Sequence, residues 1–369
     1  MRPFIHPKEG NHMRRRMFKL TLALLVVASA ATAGIALAGT SKQHGLPTVS
    51  LMVGGIDKQI YLPYQLAQDL GFYKKYGVNV QLSTEQEGGV GAEDALAAGS
   101  VDMAGAWYVH AIDFQQHSKD IIDVVQLSGA PGEREMCATG SNVHSPADFA
   151  GKNLGVTDLG SGTDDLTLYL AARAGLASSQ FNRVGVGAGS TFVAAMQQGR
   201  ITCGMTTQPT VNAIEKQGIG YSAGDLASVA GVKKYLGGPL PTASVLAYRS
   251  WVDSNKATVQ KVVDALVATM HWISTHTAAQ IAAKMPPDFV SNQLTSTSDY
   301  VTALAQDKNQ FLPNGLMPVG GPAKVYDLEK KAGKITGPVN VNHTYTNKFA
   351  IKANLLLGYT ASSGYTKKK

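Results

Sequence analysis

GKNLGVTDLGSGTDDLTLYL, residues 151–170, is the stretch from which the fold can be read. Residues 153–157 are predicted as a buried strand and 158–162 as a glycine-punctuated turn. A helix is predicted to open at Thr163 or Asp164. A strand that feeds a glycine-rich turn into a helix leaves unpaired backbone N–H groups facing out of the turn. Such a place can hold the polar end of a ligand without any catalytic side chain. GSG before a helix also serves as plain turn chemistry, so the weight rests on a second occurrence of the same unit.

Working outward, residues 184–186 predict a strand, 187–190 a loop, 192–198 a helix and 201–206 a strand. The first half repeats this order: strand 49–53, loop 54–60, helix 61–70 closed by Gly71, and strand 78–82. A loop at 85–89, a helix at 90–98 and a strand at 101–106 follow. ALAAGSVDMAGA (95–106) and AAMQQGRITCGM (194–205) echo each other as helix end, glycine and strand. A further helix to about His117 and a strand at 121–127 complete the first half. The predicted fold class is α/β, with two βαβ-built lobes. The loops after their strands gather along one edge of each sheet and face one another across a cleft. QLSGAPGER (126–134) leads into a strand at 135–139, and Pro239–Pro241 precedes a strand at 242–249. These make two hinge strands that permit closure over a ligand. Helices are expected at 255–275, 278–284, 299–307 and 323–331, returning to cover the first lobe, while 340–365 receives no assignment. The expected organisation is a signal peptide at 1–38, lobe 1 at 39–129 plus 245–369, and lobe 2 at 130–244.

The chain has 369 residues, 16% of them charged, and a formal charge of +7. That charge is concentrated at the ends. Residues 1–38 hold Arg2, Lys8, Arg14, Arg15, Arg16 and Lys19 against Glu9, and Lys367–Lys369 add three positives. No basic patch remains elsewhere, which excludes a nucleic-acid partner at this level. From Met13, a basic head, an apolar stretch at 20–30 and two A-x-A sites (31–33 and 36–38) predict export by a signal peptide, with Met13 as a possible true start. Arg15-Arg16-Met17-Phe18 also resembles the twin-arginine pattern, so the route stays open. No later segment reaches 18 uninterrupted apolar residues, so a soluble mature protein is expected. No cysteine stands near the cleavage sites to carry a lipid. Cys137 and Cys203 lie on apolar, strand-like runs of an exported chain. Two buried free thiols are expected ahead of a bridge, and without a histidine pair nearby they make no metal site.

LPYQLAQDLGFYKKYGVNV (62–80) resembles the opening of the nitrate/sulfonate/taurine-type periplasmic binding proteins of ABC importers, whose fold is shared with thiamine-pyrimidine synthase proteins. ALAAGSVD (95–102), SPADFAGKNLGV (145–156) and AMQQGRI (195–201) resemble the same family in order and spacing. The resemblance implies a two-lobed type II periplasmic-binding fold and a small solute held between the lobes. It implies an ABC permease as partner, a periplasmic or extracytoplasmic location, a monomer, no cofactor and no catalysis. Carried onto this chain, the ligand regions are Gln59 and Tyr61; Glu87, Gly88 and Gly89; Trp107 and Tyr108; Ser161, Gly162, Thr163 and Asp164; and Gln208.

The glycines allow close backbone approach, and Ser161 and Thr163 either donate hydroxyls to a solute or cap the helix. Trp107 and Tyr108 either stack on a planar ligand or pack within the lobe. Asp164 and Asp165, with Glu85 and Glu87 in the facing loop, depart from what a nitrate or sulfonate site needs, although early acids also favour a helix N-terminus. The resemblance implies a sulfonate-, nitrate- or taurine-like solute, and these acids leave the ligand class open. The alternative is a neutral or amino-bearing heteroaromatic such as a thiamine-pyrimidine precursor. An extracytoplasmic sensor is a rival of another class. An enzyme is disfavoured, because G-x-S-x-G, H-E-x-x-H and Walker motifs are absent and the clustered cysteines of the pyrimidine synthases are missing.

Overall fold

In the computed structural model, residues 45–85 and 90–360 are described. The segment 1–38, expected as a signal peptide, and Glu87, Gly88 and Gly89 lie outside them. Ten strands form two sheets: β1 (Thr48–Val53), β2 (Asn79–Thr84), β3 (Met103–Trp107), β4 (Ile121–Gln126), β5 (Glu133–Ala138), β6 (Asn153–Val156), β7 (Asn182–Gly185), β8 (Cys203–Thr207), β9 (Gly220–Asp225) and β10 (Ala243–Tyr248). The first sheet has the order β2-β1-β3-β10-β4 and the second β7-β6-β8-β5-β9. The two orders are the same pattern. In each, a parallel trio is followed by an antiparallel strand that arrives from the other sheet, and then by a last strand. The matched halves of the sequence thus fold into matched α/β sheets, joined by the β4–β5 and β9–β10 crossings.

Local sequence accounts for the elements. In β1 Val49, Leu51 and Val53 are buried, the period-2 pattern of a strand with one face on the core. The helix Leu62–Asp69 turns Leu62, Tyr64 and Leu66 inward, with Pro63 in its first turn and Gly71 in the left-handed region behind it. The helix predicted to start at Thr163 or Asp164 starts at Gly162, with Ser161 as its N-cap. The long helix Lys256–Thr275 buries Val259, Val262, Val263, Leu266, Val267 and Met270, the periodic set seen in the sequence.

Several elements were not anticipated: β9 and the helices Thr210–Lys216, Val229–Leu236 and Lys348–Leu356. β9 is largely half-exposed or exposed, so its apolar signal is weak. The unassigned C-terminal stretch covers the outer edge of β4. Asp123 N–H donates to the Thr344 carbonyl at 2.9 Å, and Thr346 N–H donates to the Asp123 carbonyl at 2.9 Å. Arg134 on β5 donates to both Asp307 oxygens at 2.8 Å, tying the second sheet to the helix Thr297–Asp307.

The cysteines correct the sequence expectation. Cys137 and Cys203 are not free thiols but a disulfide, with S–S 2.04 Å. They are direct register partners on antiparallel β5 and β8. Directly opposed residues bring their Cβ atoms together, and 66 residues of separation hide that register from the sequence.

Candidate functional site

The ends of β1, β3 and β6 and the start of β5 meet between the sheets. There they enclose a cavity of about 10 Å³, lined by Lys58, Tyr61, Glu93, Trp107, His110 and Glu133, with Ile60, Thr157, Gly162 and Thr163. This is about the space of one water; the two halves stand closed on each other. Each element sets one piece in place. The turn after β1, with Gly55 at φ +88, brings Lys58 back so that its Nζ donates to the Gly54 carbonyl at 3.2 Å. Trp107 ends β3 and lies over Gly162, the first residue of the helix from the second sheet. Glu133 opens β5 and enters from the second sheet.

Between Thr157 and Thr163 the hydroxyls serve one another. Thr157 Oγ1 donates to Ser161 Oγ at 2.9 Å, and Thr163 Oγ1 accepts the Thr157 N–H at 2.9 Å. Ser161 Oγ in turn donates to the Asp158 carbonyl at 2.8 Å. Ser161 therefore shapes the turn, while Thr163 faces the cavity.

The charges are the site's main feature. Glu93 ion-pairs with His110 at 2.9 Å, and His110 lies 3.6 Å from Asp113. Burial disfavours the His110 cation, but the Glu93 and Asp113 carboxylates outweigh it and push its pKa up to about 10. Burial raises Glu133 to about 8 against the opposing pull of Lys58 and Arg134. Burial also lowers Lys58, opposed chiefly by Glu133. Oε2 of Glu93 and Oε2 of Glu133 are buried and have no hydrogen-bond partner among the described residues. Behind His110 the network continues across the two halves. Lys334 pairs with Asp165, lies 3.8 Å from Asp113 and 3.5 Å from Glu329, and Tyr169 donates to Glu329 at 2.6 Å.

Of the residues expected at the site, Tyr61, Trp107, Gly162 and Thr163 line the cavity. Gln59 is buried beside it and donates to the Tyr300 carbonyl at 3.0 Å. Tyr108 is buried away from it, with its hydroxyl on Thr344. Asp164 is held by Arg183 of β7 at 2.7 Å and accepts the Gly160 N–H at 2.8 Å, so its charge is answered by a neighbouring strand and its own turn. Gln208 accepts the Asn212 N–H at 3.0 Å and gives its backbone carbonyl to Gln59 N–H. Sequence reasoning left Glu93, His110, Glu133 and Thr157 out of the cleft and gave Lys58 no place in it. The one available signal was charge within an apolar strand, in EREMCA at 133–138.

A family profile described as NMT1/THI5 like matches residues 60–279, more than half of the chain. Among solved structures, a Bordetella bronchiseptica RB50 protein is 27% identical, with 84% of this chain and 98% of that chain covered and a TM-score of 0.77. The alkanesulfonate-binding protein SsuA of Xanthomonas axonopodis pv. citri, bound to MOPS, is 16% identical, with 82% and 99% covered and a TM-score of 0.64. The periplasmic nitrate-binding protein NrtA of Synechocystis PCC 6803 is 15% identical, with 87% and 92% covered and a TM-score of 0.69. No curated protein matches the chain. The fold is that of the periplasmic solute-binding proteins, and the chain belongs to the NMT1/THI5-like family.

Proposed function

We propose that the protein is the extracytoplasmic solute-binding component of an ABC import system. It captures a small organic solute between its two halves and delivers it to a membrane permease. Its work is differential binding to open and closed states, with no bond made or broken. The matched sheets, the two crossings and the cavity between them support this reading, as does the likeness to ABC-type binding proteins.

The solute on this reading carries an amino group or ring N–H donors, as an amino-bearing heteroaromatic does, rather than being a simple anion such as nitrate. One observation carries that choice: Glu93 and Glu133 both line the cavity with a buried oxygen that has no hydrogen-bond partner among the described residues. A buried acceptor without a donor costs about 1–3 kcal/mol, which a donor on the solute would recover. An anion would meet the Glu93 carboxylate, already paired with His110, and the buried carboxyl of Glu133 instead. Trp107 offers a planar apolar wall for a ring.

Thermal-shift titration of the purified protein tests this, using aminopyrimidines and aromatic amines against nitrate and alkanesulfonates. Stabilisation by the first group, weakened at least tenfold by Glu133→Gln, is expected. Stabilisation by nitrate or sulfonates alone would refute the assignment of solute class. No response to any of them, with no compaction in scattering, would count against solute capture itself.

A further inference from the structure

The helix Lys348–Leu356 has two unlike faces. Phe349, Ala350, Ala353 and Asn354 are buried, while Lys348, Ile351, Lys352, Leu355 and Leu356 are exposed. Among the described residues seven large hydrophobic side chains stand exposed, and three of them are Ile351, Leu355 and Leu356 on this one helix. Leu356 is 63% exposed and Leu355 46%, so they are more than incidental surface carbons.

Beside them runs a groove of about 770 Å³, between this helix and the chain at 249–261. Its floor is apolar, with Ile122, Val252 and Phe349. Its rim is basic, with Arg249, Lys256, Lys261, Lys348 and Lys352 against the single acid Asp253. Arg249 is tied to Asp120 and Lys256 to Asp253, whereas Lys261, Lys348 and Lys352 form no salt bridge among the described residues. The face therefore joins a lysine cluster, in which Lys352 stands near Asp264, to bare aliphatic side chains at helical spacing.

We propose that this face rests on the anionic surface of a membrane. Ile351, Leu355 and Leu356 enter the headgroup boundary, and Lys348, Lys352 and Lys261 sit at the level of the phosphates. Amphipathic helices that lie in the interface use this combination of leucine or isoleucine with lysine, and lysine stems span apolar and polar depth together. A protein partner is less well matched, because the energetic centres of protein interfaces favour tryptophan, tyrosine and arginine over leucine. Here the exposed apolar residues are aliphatic, and the one arginine is already engaged. Such a resting place would hold the cleft close to a membrane without a lipid anchor.

The test places a reporter on the face itself. Leu356→Cys in the full chain is labelled with an environment-sensitive fluorophore; the native cysteines are joined to each other, so the label goes to one site. Vesicles containing phosphatidylglycerol should blue-shift the label, vesicles of phosphatidylcholine alone should not, and salt should reverse the shift. Lys348→Glu with Lys352→Glu should weaken the response about tenfold or more, as expected for a reversed basic cluster at an anionic surface. Ile351→Ser with Leu355→Ser should weaken it at unchanged charge. Melting of all variants should stay near that of the parent, since these side chains are exposed. No shift on anionic vesicles, or an equal shift on neutral ones, would overturn the proposal. So would a response that appears only when a membrane protein is reconstituted, which would assign the face to a protein partner.

Discussion

The indole of Trp107 rests on Gly162 across the cleft, so closely that a Cβ at residue 162 would fall 2.3 Å from two of its ring carbons. Trp107 belongs to the first sheet and Gly162 to the helix of the second, so this contact exists only when the two halves meet. The glycine is needed for the approach of a neighbour, and its φ lies outside the left-handed region.

Gly162→Ala should therefore fold normally and close poorly. Alanine is favoured over glycine within a helix, so melting should hold or rise slightly. Solute affinity should fall about tenfold or more, since 1.4 kcal/mol of hindrance suffices for that. Scattering should show a larger radius than the parent under saturating solute. Unchanged affinity would mean that Trp107 moves aside at little cost.

Lys334 is the cation shared by Asp165, Asp113 and Glu329. Lys334→Met should destabilise the protein by about 3 kcal/mol in urea unfolding at pH 8, because removal of one partner leaves buried carboxylates unpaired. Asp165 already titrates near 6, raised by burial and held down by Lys334. Without the lysine it can take up a proton, so the loss should be smaller at pH 5 than at pH 8.

Stability should fall as pH rises from about 5 to 8. Glu135 is fully buried, neither of its oxygens has a hydrogen-bond partner among the described residues, and burial raises its pKa to about 8. The unfolded chain loses this proton near the ordinary glutamate value, about 4.3, while the folded chain keeps it to about 8. Between those values the native state binds more protons, so unfolding becomes easier with rising pH. Glu135→Gln should flatten that slope, removing about 3 kcal/mol of the difference between pH 5 and pH 8. An unchanged slope would place its origin in other raised groups, Glu133 and Glu329 at about 8 and His110 at about 10.

Cys137→Ala with Cys203→Ala should lower stability by about 4 kcal/mol, from the loop entropy that a closure of this length removes from the unfolded chain. Denaturation with and without reductant should show the same loss in the parent and no reductant effect in the variant. A reductant effect that persisted in the variant would locate it elsewhere.

The sequence was most readable where periodicity and turn chemistry act locally. β1, the helix after it and the long helix Lys256–Thr275 follow from apolar spacing, and the glycines at 71, 99, 175 and 199 mark the ends. The acids of the site were harder to place. Asp164 and Asp165 are adjacent in sequence, yet one is answered by Arg183 and the other by Lys334, far along the chain. Neither partner is signalled by local pattern. Glu93 reads as an ordinary first-turn acid of a helix, and only the packing of the helix Val109–Gln116 beside it supplies His110.

By itself the sequence determined two repeated α/β units, their crossing points and the glycine turn at 158–162, because short-range backbone preferences and apolar period are written residue by residue. Tertiary structure alone decided which residues share the cleft. It brought Trp107 onto Gly162, set Cys137 opposite Cys203, satisfied Asp164 and left Glu93 and Glu133 facing inward. Those outcomes depend on strand register and on which charges end up within a few ångströms of one another, and both are properties of the packed chain.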